Sequence, residues 1–181
     1  MIIGGLDLET TGFVEPEHRI VEAYLSKYEW DPKAGKAPVL LGQTHMRFNP
    51  QRNIPIESSR VHGIYINDVL TEPTFELTGK KLAQECDTCD VIVAHNGIGF
   101  DFPFLIQEWD RCGHDLPDFT PYDTMLEGRW STPYGKVPSL QELCFACGIT
   151  YDPSLAHRAD YDVGVMMDSF FFGIKHGYFE L

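Results

Sequence analysis

Asp7 and Glu9 stand two residues apart in IIGGLDLET, an otherwise apolar run near the start of the chain. In a β-strand, alternation puts both carboxylates side by side on one face. At an effective dielectric near 20, two like charges about 4 Å apart repel by roughly 4 kcal/mol. Asp and Glu are also poor strand formers, so the pair asks for a chemical reason. Three other places join carboxylates or histidine to a strand end or a helix start. Asp101 follows AHNGIGF, His157, Asp160 and Asp162 stand in AHRADYDV, and Asp123 ends PYD. Each is weak alone, because capping and the helix dipole favour Asp at helix starts. Together, Asp7, Glu9, Asp101 and Asp162 can converge as hard oxygen ligands for Mg²⁺ or Mn²⁺. Two such cations about 3.5–4 Å apart clamp the attacking and leaving oxygens of a phosphodiester. Five residues turn a helix by about 500°, so His157 and Asp162 share a face only if His157 lies in the loop leading in.

The elements that must position these groups follow from periodicity. Strand-like runs cover residues 1–9, 19–30 and 39–48, the last two separated by the turn DPKAGKAP. They read as an antiparallel meander. Residues 49–64 read as a loop, and 73–88 as a helix. DVIVAHN is a short run suited to a buried parallel strand, FPFLIQEWDRCGH an amphipathic helix, and PYDTM a short strand. Ser139 and Glu142 form a capping-box pattern at the start of SLQELCFACGI, which Gly148 ends. Residues 157–177 form the last helix. This order predicts an α/β fold, a mixed five-stranded sheet with three antiparallel and two parallel strands flanked by helices, in one domain over residues 1–181.

The chain carries 14 Lys plus Arg against 27 Asp plus Glu, a formal charge of −13. That balance disfavours tight non-specific duplex binding, but not an enzyme whose cations meet the phosphates first. No apolar run approaches the roughly 20 residues of a membrane span, and no basic leader precedes the first strand. A cytoplasmic location is the expectation. Cys86 and Cys89 form one CxxC and Cys144 and Cys147 another, so a four-thiolate zinc site is conceivable. Both pairs also sit in helical sequence where i and i+3 are neighbours, and buried reduced thiols are the favoured reading.

In this order and at these separations, LDLETTG, AHNGIGFDFPFL and AHRADYDV resemble the three motifs of the DEDDh (DnaQ-like) 3′–5′ exonucleases, which have a ribonuclease H-like fold. NPQRNIPIESSRVHGI is similar to the family's loop ending in His-Gly-Ile, YDTM to its Asp-Thr strand, and SLQELCFACGI to its Ser-Leu-x-x-Leu helix. The resemblance implies that Asp7, Glu9, Asp101 and Asp162 bind two Mg²⁺ or Mn²⁺ ions. It implies that His157 is the general base, a task near neutral pH that suits an imidazole. It also implies that Thr10, Thr11, Gly12 and Phe13 lie against the terminal nucleotide. Phe13 stacks on a base or packs in the core. His62, Asn96, Arg158 and Lys136 are further candidate substrate contacts, His95 a structural hydrogen-bonder, and Asp160 a solvated or capping residue. The spacing from Asn96 to Asp101 resembles the three-prime repair exonuclease branch, which favours single-stranded DNA 3′ ends as the partner. RNA as substrate, and a silent nucleic-acid-binding domain of the same fold, are the alternatives.

Overall fold

The computed structural model describes residues 1–181. A five-stranded sheet of order β3-β2-β1-β4-β5 lies at its centre. β1 (Ile2–Thr10) pairs antiparallel with β2 (Ile20–Glu29), and β2 with β3 (Val39–Arg47). On its other side β1 runs parallel to β4 (Val91–Ala94), which runs parallel to β5 (Thr120–Asp123). Parallel neighbours need crossovers, and α3 (Phe75–Cys86) and α4 (Asp101–Arg111) supply them. The five-stranded mixed sheet is the one the sequence predicts.

The two faces bury different helices. Leu6, Leu8, Leu25, Ile92 and Ala94 pack under Leu82 of α3 and Phe104, Leu105 and Trp109 of α4. Ile3, Tyr24, Val91 and Val93 share a core with Leu143 of α6 (Leu140–Ala146) and with Val163, Met166, Met167 and Phe170 of α7 (Ala159–Lys175). Each such side chain contributes about 1.5–3 kcal/mol by leaving water. Gly5 sets how closely α7 lies on β1. A Cβ there would stand 2.5 Å from Met167 Cγ, so Gly5→Ala would lift the helix that carries Asp162.

One reading is corrected and one of two alternatives is decided. Residues 49–64 are not a simple loop, because they contain α1 (Ile56–His62), and a short α2 (Ile66–Val69) follows. The four-thiolate site does not form. Cys86 and Cys89 belong to the core on the α3/α4 face and Cys147 to the core on the α7 face, with the sheet between them. Cys144 donates toward Val165 O and receives the Ser169 hydroxyl. All five thiols are free, and burial pushes Cys89 and Cys147 up to about 11, out of reach of easy ionisation.

Candidate active site

The β1–β4 ladder covers only Ile3–Gly5, whereas β1 continues to Thr10. The end of β1 therefore has a free edge beside the carboxyl end of β4, a crevice of the kind where open α/β sheets bind ligands. Asp7 and Glu9 project from this end on the α7 face, opposite Tyr24 and Glu22 of β2. Neither carboxylate accepts a hydrogen bond from the protein. Asp101 opens α4 and is 3% exposed; its Oδ1 accepts the Leu8 N–H at 3.1 Å on the free edge of β1. Asp162, in the first turn of α7, accepts the His157 N–H on Oδ2 at 2.8 Å, and its Oδ1 is buried without a partner. His157 lies in the loop before the N-cap Arg158, with its side chain exposed and its backbone left-handed at φ 62°. The hydrogen bond to Asp162 holds that strained turn in place.

The electrostatics are those of an unneutralised cluster. Burial, reinforced by Asp101, Glu9, Asp162 and Glu22, holds Asp7 well above the usual carboxylate range. Burial and the charges of Glu22, Asp162 and Asp101 push Glu9 up to about 9. Burial takes Asp101 to about 7 against the pull of backbone N–H groups, and raises Asp162 as well. Desolvation penalises the charged form of each, and the neighbouring carboxylates add to it. Carboxylate oxygens without donors, one of them orphaned and buried, fit a hard divalent cation as ligand set. No three of these four residues bring ligand oxygens within 4.8 Å of one another; the group that does is Glu15, Glu17 and His18. That group lies on the surface turn after β1, and His18 Nδ1 is already 3.1 Å from Thr11 Oγ1.

Asp123, His95 and Asn96 build the frame of the crevice. Asp123 is 4% exposed and accepts backbone N–H groups from Asn96, Ile98, Met125 and Leu126. It caps a short helix, α5 (Thr124–Glu127), and pins the loop that delivers Asp101. His95 spans Thr124 Oγ1 at 3.0 Å and Pro138 O at 3.2 Å, the structural position expected of it. Asn96 takes the left-handed conformation at φ 68°, with its Oδ1 close against Gly99.

Beside Glu9 a cavity of about 230 Å³ is lined by Thr10, Gly12, Phe13, Ser58, Val61, His62 and Phe100, among others. Phe13 is 80% exposed, which removes the core-packing alternative. His62 lines the cavity with both ring nitrogens used. Nδ1 accepts the Ile64 N–H at 3.1 Å, and Nε2 meets Thr10 O at 3.3 Å. Thr10 Oγ1 donates to Gly12 O at 2.5 Å and shapes the turn. Thr11 is fully buried, and its hydroxyl is bound to His18 and the Arg19 N–H, so only its backbone is left to the turn. Arg158 spends its guanidinium on the exposed Asp160, and Lys136 pairs with Glu142 at 2.8 Å. Sequence reading missed Glu22, His45 and Arg47, because only the strand register brings them to the carboxylates.

The RNase_T exonuclease family model matches residues 5–170. Over 128 residues the chain is 34% identical to the 3′–5′ exonuclease DinG of Bacillus subtilis, covering 68% of this chain and 13% of that protein. Over 177 residues it is 28% identical to DNA polymerase III subunit epsilon of Buchnera aphidicola subsp. Schizaphis graminum, covering 93% and 70%. It is 32% identical over 105 residues to the PolC-type DNA polymerase III of Ureaplasma parvum, spanning 58% of this chain and only 7% of that protein. Escherichia coli Exonuclease I in complex with a dT13 oligonucleotide shares the fold, with a TM-score of 0.77 at 17% identity. The match covers 95% of this chain and 40% of Exonuclease I. With the family model spanning most of its length, the chain belongs to the RNase_T exonuclease family.

Proposed function

We propose that the chain is a 3′–5′ exonuclease that shortens single-stranded nucleic acid, DNA in preference to RNA, and releases nucleoside 5′-monophosphates with two Mg²⁺ or Mn²⁺ ions. The observation that carries this reading is a set of carboxylate oxygens that accept no hydrogen bond from the protein, on half-buried Asp7, on buried Glu9 and at the buried Oδ1 of Asp162, beside an open cavity. Asp7, Glu9, Asp101 and Asp162 would hold the cations. Bound there, divalent cations supply Lewis-acid stabilisation of phosphoryl charge and lower the pKa of a water.

The other steps belong to the chain itself. The cavity between the turn after β1 and α1 takes the terminal nucleoside, with Phe13 free to stack on its base, a contact worth roughly 1–3 kcal/mol. Ser58 and the backbone of Gly12 supply polar groups at the cavity wall. His157 is exposed on a turn that Asp162 fixes, and its imidazole takes the proton of the attacking water. The attack runs in line with the leaving 3′ oxygen, and the rigid end of β1 provides the positioning. The names of the relatives and the Asn96–Asp101 spacing both support DNA.

The test digests 5′-labelled single-stranded DNA and RNA with Mg²⁺, Mn²⁺ or EDTA. Stepwise 3′ shortening of DNA, faster than of RNA and abolished by EDTA, is expected. No shortening of either substrate with either metal would sink the reading. Faster RNA cleavage would make it an exoribonuclease.

A further inference from the structure

Resting on that function, we infer that Arg47 and His45 of the edge strand, tethered by Glu22, form a phosphate-binding rim for the strand upstream of the scissile bond. The register argues first. Glu9 pairs with Glu22 and Glu22 with Arg47, while Asp7 pairs with Tyr24 and Tyr24 with His45. Directly paired residues share a face, so two rows run outward from the carboxylates across β2 to the edge. Two strand spacings put the Arg47 Cα roughly 10 Å from that of Glu9, a nucleotide or two of extended strand away. Arg47 and His45 are the only basic side chains that the sheet places on this face, because Lys27 points to the other and pairs with Glu85.

The tether argues second. The Glu22 side chain is buried, and its Oε1 receives both Arg47 Nε at 2.7 Å and His45 Nε2 at 2.9 Å. The guanidinium is thus anchored by Nε alone. Its two terminal nitrogens make no hydrogen bond within the protein, and the Arg47 side chain is 40% exposed. Those nitrogens form the fork that matches phosphate oxygens. The His45 ring rests edge-on against Tyr24, with centroids 5.8 Å apart. Elsewhere the cations near the site are spent, Arg158 on Asp160 among them. In a chain of charge −13, this rim is where a polyanion meets unspent guanidinium donors on the catalytic face.

The test compares wild type, Arg47→Ala, Arg47→Lys and His45→Ala on an oligothymidylate and on a thymidine dinucleotide, with thermal melts confirming folding. Anisotropy of the labelled oligonucleotide in Ca²⁺ reports binding separately. For Arg47→Ala, KM on the oligonucleotide rises about tenfold, the loss of one charge-assisted hydrogen bond. Its kcat changes less than about twofold, and the dinucleotide is affected several-fold less. The slope of log affinity against log salt becomes shallower by about 0.7, one phosphate contact on a single strand. Arg47→Lys keeps that slope, and His45→Ala shifts KM in the same direction by less. Unchanged KM and anisotropy in Arg47→Ala overturn the rim. So does a kcat loss equal on both substrates, which would mean that Arg47 acts only through Glu22 on the carboxylates. If wild type cleaves nothing, the nuclease reading fails, and anisotropy alone then decides the rim.

Discussion

Glu108 and Asp123 are buried as deeply as Glu9 and Asp101, yet the first two live among donors and Glu9 does not. Glu108, wholly inaccessible, takes a two-pronged bond from Arg111 at 2.9 and 2.8 Å, with Arg19 at 3.8 Å. Asp123 takes four backbone N–H groups. Asp7 and Glu9 accept nothing, and Asp162 leaves one oxygen orphaned. Burial alone therefore does not mark a functional carboxylate. Asp123 and Glu108, with donors on both oxygens, are pieces of structure, whereas Asp7, Glu9, Asp101 and Asp162 each keep at least one oxygen without a donor, open to the proposed cations.

The sharpest way to break this contrast is Asp7→Asn. It should lower cleavage by more than about 10⁴-fold, since a neutral amide is a poor ligand for a hard cation. The same variant should melt higher than wild type in EDTA at neutral pH, because it relieves repulsion among Asp7, Glu9, Asp101 and Asp162. Activity retained at a tenth of wild type or more would place the metal elsewhere. His157→Ala comes next, with kcat on the order of 10²–10³-fold lower and metal binding retained. If that substitution also removed metal binding, His157 would be a ligand and not the base.

Asp123→Ala probes the other side of the contrast. It strips four N–H groups of their acceptor and should cost about 3 kcal/mol of stability, read from denaturant unfolding. Cleavage by the molecules that remain folded should fall far less than in Asp7→Asn. A stable, inactive Asp123→Ala would instead make Asp123 part of the chemistry.

In the sequence, Asp123 and Asp101 look alike, each an acid where a strand or loop meets a helix. What separates them is where the donors lie, and those donors come from residues such as Ile98 and Leu8 that carry no signal of their own. Asp7 and Glu9 were legible because an acid pair in an apolar strand violates the local pattern. The five strands were legible from apolar patterning and turn residues, β4 from its short continuous apolar run. α1 was not, since its seven residues, IESSRVH, include β-branched and serine residues of modest helix propensity. Its one clear sign was Gly63, left-handed at φ 74°, whose N–H returns to Ser59 O as a helix cap. Glu22 and Arg47 stayed hidden for another reason. Register shifts at Glu9/Thr10 and Lys27/Tyr28 decide which residues of the meander stand opposite each other, and bulges leave little trace in sequence.

The contrast between the two kinds of buried carboxylate also predicts a pH dependence, the smallest of these effects. In the folded chain burial and the neighbouring carboxylates push Glu9 up to about 9, whereas an unfolded glutamate titrates at about 4.3. Between those values the folded chain holds more protons than the unfolded one, so cation-free stability falls as pH rises through that window. Asp7 and Asp162, raised in the same direction, add to the slope. Cations bind the deprotonated carboxylates, so affinity rises with pH and binding releases protons. Melts in EDTA should therefore drop from about pH 6 to about pH 8.5. Mg²⁺ at a hundredfold excess over its Kd should restore about 2.7 kcal/mol. A given Mg²⁺ concentration should raise the melting temperature more at the higher pH, and Asp7→Asn should flatten both trends. A flat EDTA profile in wild type would mean that the carboxylates already share donors in solution, and the distinction from Asp123 would collapse.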